Sequence, residues 1–310
     1  MTLCLNSAYS TTRIATREKP EVLNSPKEKY KTILFLPENS ERQGEGGLRT
    51  KGYFKKSYDN KPLVSIITVV YNGEEFIDAT IQSVINQTYD NVEYIFIDGG
   101  STDGTLDIIK RYEDRIDYWV SEKDAGIYDA MNKAITITSG DWVNFMNAGD
   151  TFYNNNTLKN LFKVSNFNDI NILYGHHEVR YPHKKRIARA GNIADIWKAS
   201  QFSHQSVFIS SRYHKMHPYN TCIKITADFA FFYNAYVNNA KFQYKDAVIS
   251  SITSGGVSDI KRVDGILEMW MVQEKSNKVN FYYIFRILKE MLKEKVKKRL
   301  SAFSIQKEGL

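Results

Sequence analysis

Two aspartates, Asp98 and Asp150, each follow an apolar run, where a strand end would hand a carboxylate to a ligand. A carboxylate at Asp98 can accept hydrogen bonds from a base or a ribose. The same residue also fits a turn built by Asp-Gly chemistry. Asp150 offers the oxygen that a hard cation on a diphosphate prefers, and Mg²⁺ takes only one or two such ligands from protein. It equally fits the N-cap of a following helix. Between them, Gly99 to Gly104 has the spacing G-x-x-x-x-G, but Thr105 follows where a phosphate-binding loop carries lysine. That argues against a nucleotide triphosphatase. No G-x-G-x-x-G follows the first strand, which argues against a dinucleotide dehydrogenase. His176 and His177 are adjacent and point to opposite faces of a strand, so they are not a metal pair. Cys4 and Cys222 form no metal spacing and no disulfide framework, as expected in a reducing compartment.

These residues need elements to position them. Leu63 to Val70 is almost unbroken in apolar and β-branched residues, the composition of a strand buried on both faces. Ile77, Ile81, Val84 and Ile85 recur at helical spacing. Val92 to Ile97 predicts a second strand ending at Asp98. A helix with Leu106 and Ile109 on its inner face follows the Gly-rich turn. Tyr118–Val120 and Trp142–Met146 predict a third and a fourth strand, with a helix over Ile127–Ile135 between them. Strand, helix, strand, turn, helix opens a doubly wound α/β sheet, which binds ligands at the carboxyl ends of its strands. Further on, the pattern predicts a helix over 154–165 and a strand over Ile170–Tyr174. His176 to Arg189 predicts a hairpin bent at Pro182, with Lys184, Lys185 and Arg186 as its solvated turn or a contact for a lipid diphosphate. A strand over Gln205–Ile209 follows, then a helix over Thr226–Asn238 with Thr226 as N-cap.

The flanks differ in composition. Residues 1–30 are polar and are expected to be largely disordered. Thr32–Leu36 predicts an added strand, and Glu38–Asn60, rich in Gly and charge, a linker or a mobile flap. The expected division is a partly disordered N-terminal extension over 1–60, a main domain over 61–262 with halves 61–165 and 166–262, and a tail over 263–310. The chain of 310 residues has a formal charge of +7, which invites nucleic acid, an anionic membrane or a phosphorylated small molecule as partner. No stretch reaches the roughly 18 apolar residues of a membrane span, and no apolar leader stands at the start. In the tail, Ile284, Phe285, Leu288, Met291, Leu292 and Val296 share one face. Arg286, Lys289, Lys293, Lys295, Lys297, Lys298 and Arg299 supply the other, against Glu290 and Glu294. Such a helix lies on an anionic membrane surface, packs against a partner, or docks on its own domain. The expected location is the cytoplasm, peripheral on the inner membrane. The basic residues gather in this tail instead of forming a stripe over the fold, so nucleic acid is not expected as a partner.

Four segments carry a resemblance. Val64 to Asn72, Ile97-Asp98-Gly99-Gly100-Ser101-Thr102-Asp103-Gly104-Thr105, Asp124-Ala125-Gly126-Ile127-Tyr128-Asp129-Ala130-Met131-Asn132 and Phe145 to Asp150 resemble the family 2 glycosyltransferases of the GT-A fold. The match runs from about Pro62 to Ala240, and the subgroup most like it assembles bacterial surface polysaccharides. The resemblance implies a Rossmann-like, mostly parallel sheet flanked by helices. It implies inverting transfer of a sugar from a nucleotide diphosphate sugar, a UDP-sugar favoured, to a lipid-linked or glycan acceptor. By the same resemblance Thr68, Val69 and Asn72 line the nucleotide pocket and Asp98 binds the base. Asp124 and Asn132 border the diphosphate and sugar, and Asp150 holds Mg²⁺ or Mn²⁺. His204 lies near the acceptor, and Asp228 is the base that takes the acceptor's proton. Asn147 and Gly149 stand where many members have acids. A catalytically weak nucleotide-sugar-binding or membrane scaffold protein of the same fold is the alternative.

Overall fold

The computed structural model describes residues 1–22, 24–163, 167 and 169–308, with side chains as far as Val296. The strands in chain order are β1 (Thr2–Leu3), β2 (Ala15–Thr16), β3 (Gly44–Gly46), β4 (Val64–Val70), β5 (Val92–Asp98), β6 (Tyr118–Ser121), β7 (Trp142–Phe145), β8 (Thr151–Phe152), β9 (Ile172–Tyr181), β10 (Lys184–Ala188), β11 (Val207–Ser210) and β12 (Phe242–Thr253). The helices are α1 (Ile77–Ile85), α2 (Thr105–Arg111), α3 (Ile127–Ile137), α4 (Thr157–Phe162), α5 (Ser211–Met216), α6 (Ala227–Val237), α7 (Val257–Ile260), α8 (Arg262–Met271) and α9 (Asn277–Glu308).

Every residue of β4 is buried, as its composition requires. β5 and β7 flank it in parallel, and β6 runs parallel to β5. Across the sheet the order is β3-β6-β5-β4-β7-β11-β9-β12-β8, with β10 paired to β9. The first three central strands step outward from β4 to β6, and β7 then returns to the other side of β4. This reversal marks where such a sheet opens a crevice at its carboxyl edge. Alternate residues of β4 serve two cores. Ile67 and Val69 pack with Met131, Ala134 and Ile135 of α3. Val64, Ile66 and Val70 pack with Ile77, Ile81, Val84 and Ile85 of α1.

The N-terminal extension departs from expectation, because its charges are ties to the core. Arg49 pairs with Glu93 of β5 at 2.5 Å, with side chains only 3% and 1% exposed. Its guanidinium also donates to the carbonyls of Leu34 at 2.7 Å and Ile137 at 2.9 Å. Lys55 is buried, donates to the carbonyls of Thr11 and Ile14, and stands 3.7 Å from Asp117. Residues before them also touch the domain, as where the Ser10 N–H donates to Ile85 O at 2.8 Å and the Lys29 N–H to Lys215 O at 3.0 Å. β1 and β2 pair with each other, and β3 extends the main sheet along β6, where a linker or flap was expected. No strand forms over Thr32–Leu36, which rests on single contacts such as Ile33 N–H to Thr136 O at 2.7 Å.

Two further expectations are corrected in the second half. Lys184, Lys185 and Arg186 are not the hairpin turn but the start of β10, and Pro182 and His183 make the turn. The expected helix over 154–165 is the shorter α4, and 164–166 lie outside the described residues. The tail docks and then departs. Tyr283 of α9 is fully buried, accepts from Gln273 and donates to Trp197 O at 3.1 Å. Arg286, expected on a solvated basic face, donates to Lys198 O at 2.7 Å. Beyond this anchor the apolar face is uncovered, with Phe285 62%, Leu288 59% and Leu292 64% exposed. Lys297, Lys298 and Arg299 lie outside the residues whose side chains are described. No helix among the described residues is long and apolar enough to cross a membrane.

Candidate active site

Asp150 and Asp228 come from opposite halves of the chain and meet either side of one turn, His204–Ser206. Asp150 closes the Asn147–Asp150 turn after β7, with its N–H on Asn147 O at 3.0 Å. Gly149 there has φ +93, a conformation glycine adopts without strain. Gln205 donates to Asp150 Oδ2 at 2.6 Å, and the Thr253 N–H donates to Oδ1 at 3.1 Å. Burial raises the Asp150 pKa, against the lowering effect of Thr253, His204, Gln205 and Arg180. One residue earlier in the turn, His204 Nδ1 lies 3.2 Å from Asp228 Oδ2. His204 Nε2 lies 3.1 Å from the Asn147 amide nitrogen. Both contacts are satisfied by the tautomer protonated on Nδ1. His204 is thus set against the expected base, the first acid of α6.

Asp228 has a second partner in Tyr128, whose hydroxyl is 3.0 Å from Oδ1. Burial alone would raise the Asp228 pKa. The His204 hydrogen bond and charge, the Phe229 N–H and the Tyr128 hydroxyl outweigh it and hold the carboxyl below its ordinary value. Thr226 does not cap α6 with its own oxygen, as expected from sequence. Its hydroxyl instead donates to Glu268 of α8 at 3.0 Å. Glu268 also accepts the N–H groups of Lys224, Ile225 and Thr226 at 3.0, 2.9 and 2.9 Å, so the tail holds the entry to the helix that carries Asp228.

The nucleotide-side residues sort differently from expectation. Thr68 and Val69 are buried in the cores, because β4 is covered on both faces. The Thr68 hydroxyl is spent on Met146 O at 2.8 Å. Asn132 is also withdrawn from any ligand. Its amide pairs with both main-chain groups of Tyr219, at 2.9 and 3.0 Å, as a brace between the halves. Asp98 is fully buried and accepts from the Ser101 N–H at 3.0 Å, the Ser101 hydroxyl and the Ser121 hydroxyl, which favours the turn-building role. Asn72 remains at the surface with φ +51, and its side chain accepts from the Thr102 N–H at 2.9 Å. Tyr71 beside it is 65% exposed, a large aromatic at the carboxyl end of β4. Asp124 is half-buried against Gly99, and its pKa is raised by burial.

The donor set fits a divalent cation. No group of three or more His, Cys, Asp or Glu side chains among the described residues could hold a metal by itself. Asn147 Oδ1, however, is buried without a hydrogen-bond partner among the described residues, in the same turn as Asp150. One carboxylate and one amide oxygen suit Mg²⁺ or Mn²⁺, ions that take their other ligands from phosphates and water.

Sequence reading missed Gln205, Tyr128, Glu268 and Arg180. Arg180 of β9 donates to Gly149 O at 2.6 Å and to the hydroxyls of Thr151 and Thr253 at 2.9 and 3.0 Å, bracing the Asp150 turn. Only Gln205 and Tyr128 had a local signal, since Gln205 adjoins His204 and Tyr128 lies within the Asp124–Asn132 segment.

The chain is similar to known glycosyltransferases in sequence and in fold. A PGL/p-HBAD biosynthesis glycosyltransferase of Mycobacterium bovis is 28% identical over 205 residues, covering 64% of this chain and 80% of that protein. Staphylococcus aureus TarS 1–349 in complex with UDP superposes with a TM-score of 0.53 at 18% identity, over 73% of this chain and 70% of that one. The mannosyltransferase PcManGT of Pyrobaculum calidifontis, in complex with GDP-Man and Mn²⁺, gives a TM-score of 0.54 at 16% identity over 73% and 70%. At these identities the structures show the GT-A fold alone. The sequence profile described as glycosyl transferase family 2 matches residues 65–237, more than half of the chain, and the chain therefore belongs to the family 2 glycosyltransferases.

Proposed function

We propose that this glycosyltransferase inverts the anomeric centre of a nucleotide diphosphate sugar, a UDP-sugar favoured, and builds a bacterial surface polysaccharide on a lipid-linked or glycan acceptor. The observation that carries the reading is the single turn in which His204 meets Asp228 and Gln205 meets Asp150. A base and a leaving-group site are so joined through two consecutive residues of one turn. In the reaction the acceptor oxygen bonds to the anomeric carbon as its proton passes to Asp228. The bond from that carbon to the diphosphate oxygen breaks, and its electron pair leaves with the nucleoside diphosphate. His204 and Tyr128 fix the rotamer of Asp228 and keep it ionised. A Mg²⁺ or Mn²⁺ ion held by Asp150 and Asn147 would supply charge neutralisation at the leaving diphosphate. The uncovered apolar face of α9, rimmed by Lys289, Lys293 and Lys295, supports work at an anionic membrane surface.

The test is transfer from labelled nucleotide sugars in the presence of Mn²⁺ and anionic vesicles carrying polyprenyl-linked acceptors. We expect product of inverted configuration, at least ~100-fold slower turnover in Asp228→Asn and Asp150→Ala, and protein that sediments with the vesicles. Full activity in either folded variant would defeat the assignment of the acids. Protein that stays in the supernatant would defeat the membrane reading alone.

A further inference from the structure

At the carboxyl end of β5 the chain makes a floor without side chains, Gly99–Gly100, and two polar groups overhang it. A Cβ at Gly99 would stand 2.5 Å from Asp124 Oδ2, so only glycine lets that carboxylate lie over the turn. Asp124 Oδ1 accepts the Gly126 N–H at 2.8 Å, while Oδ2 has no hydrogen-bond partner among the described residues. A Cβ at Gly100, where φ is +81, would meet Gln43 Nε2 at 3.5 Å. Gln43 is exposed, and its carboxamide likewise has no partner among the described residues.

Gln43 is nonetheless firmly placed. Its N–H donates to Ser121 O at 2.8 Å, one residue before Gly44 pairs with Ser121 in the β3–β6 ladder. Its neighbour Arg42 binds Glu122 at 3.0 Å, and Lys133 binds the same carboxylate at 3.3 Å. Asp98, by contrast, is buried beneath the turn with three donors already on it, so its carboxylate is not presented to a ligand.

We propose that Asp124 and Gln43 form a clamp over Gly99–Gly100 that reads the base of the donor, so that part of the nucleotide selectivity resides in the N-terminal extension. The proposal rests on the nucleotide-sugar reading above. An ionised carboxylate can only accept, so it matches a base that presents a ring N–H, as uracil and guanine do. Cytosine and adenine present a bare ring nitrogen at the equivalent position and are repelled. The carboxamide has a donor for the carbonyl that adjoins that N–H. This segment lies outside the matched family region, which begins at residue 65.

The test is calorimetric titration of the full chain with UDP, GDP, CDP and ADP in the presence of Mn²⁺. We expect UDP or GDP to bind at least ~10-fold more tightly than CDP and ADP, and Asp124→Asn to weaken that ligand by ~10-fold or more while narrowing the gap to CDP. Gln43→Ala, at an exposed position, should weaken the same ligand by ~3–10-fold without lowering the melting temperature. A preference for CDP or ADP, or an unchanged preference in Asp124→Asn, overturns the clamp. Unchanged affinity in Gln43→Ala overturns the part given to the extension. Binding of none of the four diphosphates by the unaltered chain would instead overturn the donor reading itself.

Discussion

Replacing Glu268 by alanine probes how the tail supports the proposed base from outside the candidate site. The carboxylate accepts three main-chain N–H groups and the Thr226 hydroxyl, all between 2.9 and 3.0 Å. At a half-exposed site each such bond contributes on the order of 1 kcal/mol, and water recovers part of the loss, so ~2–3 kcal/mol is expected overall. For a chain of this size that corresponds to a fall in Tm of about 4–10 °C. The kinetic effect should exceed what partial unfolding explains. Asp228 lies two residues beyond Thr226, and a loosened first turn shifts it from His204 and Tyr128. A displacement near 1 Å at a reacting group can cost ~100-fold, so kcat should fall by ~10-fold or more with little change in the KM of the donor. Equilibrium urea unfolding and initial-rate kinetics on the same preparation measure both. A midpoint within ~0.5 kcal/mol of the unaltered protein, with kcat unchanged, would refute the reasoning and leave α8 as a bystander.

Two other outcomes follow from buried charge. Glu93→Gln leaves Arg49 uncompensated in the interior and should cost ~3–5 kcal/mol, while adding Arg49→Met should restore most of it. Arg49, Ser139 and Ser65 overcome the burial that would raise the Glu93 pKa and hold it below its ordinary value. Its contribution should therefore be complete above the unfolded pKa of about 4.3 and fade as pH falls below it. Urea midpoints read from neutral to acid pH check this, and a flat series would contradict it. In His204→Gln the acidic limb of kcat/KM should move upward, because the depressed Asp228 pKa loses its main support. An unmoved limb would mean that His204 does not act through Asp228.

The centre of the fold was legible because its signal is local. A run such as Val64–Val70 fits only a strand covered on both sides, and Ile77, Ile81, Val84 and Ile85 fit only a helix against it. The two acids at strand and helix ends were legible for the same reason. The flanks were not. Arg49 and Lys55 read as solvated charge because their partners, Glu93 and Asp117, stand on strands far along the chain. Thr68, Asn132 and Asp98 were placed on a ligand by motif, yet each spends its polar atoms on the protein's own backbone or hydroxyls. Satisfaction by a distant main-chain group, such as Tyr219 on Asn132, leaves no mark in spacing. Glu268 lies in the tail and serves a helix that begins some forty residues earlier, which no window of local sequence contains.

The short ladder of β3 on β6 bears on how this enzyme behaves when handled as a fragment. β6 would otherwise end the sheet with bare N–H and C=O groups, the kind of border on which chains stack and precipitate. Gly44 and Gly46 suit the task, because either would clash with the Trp119 ring if it carried a side chain. Trimming a gene to the recognised family segment would strip away this cover. The trimmed product should be prone to self-association and inclusion bodies although every residue matched by the family profile is still present.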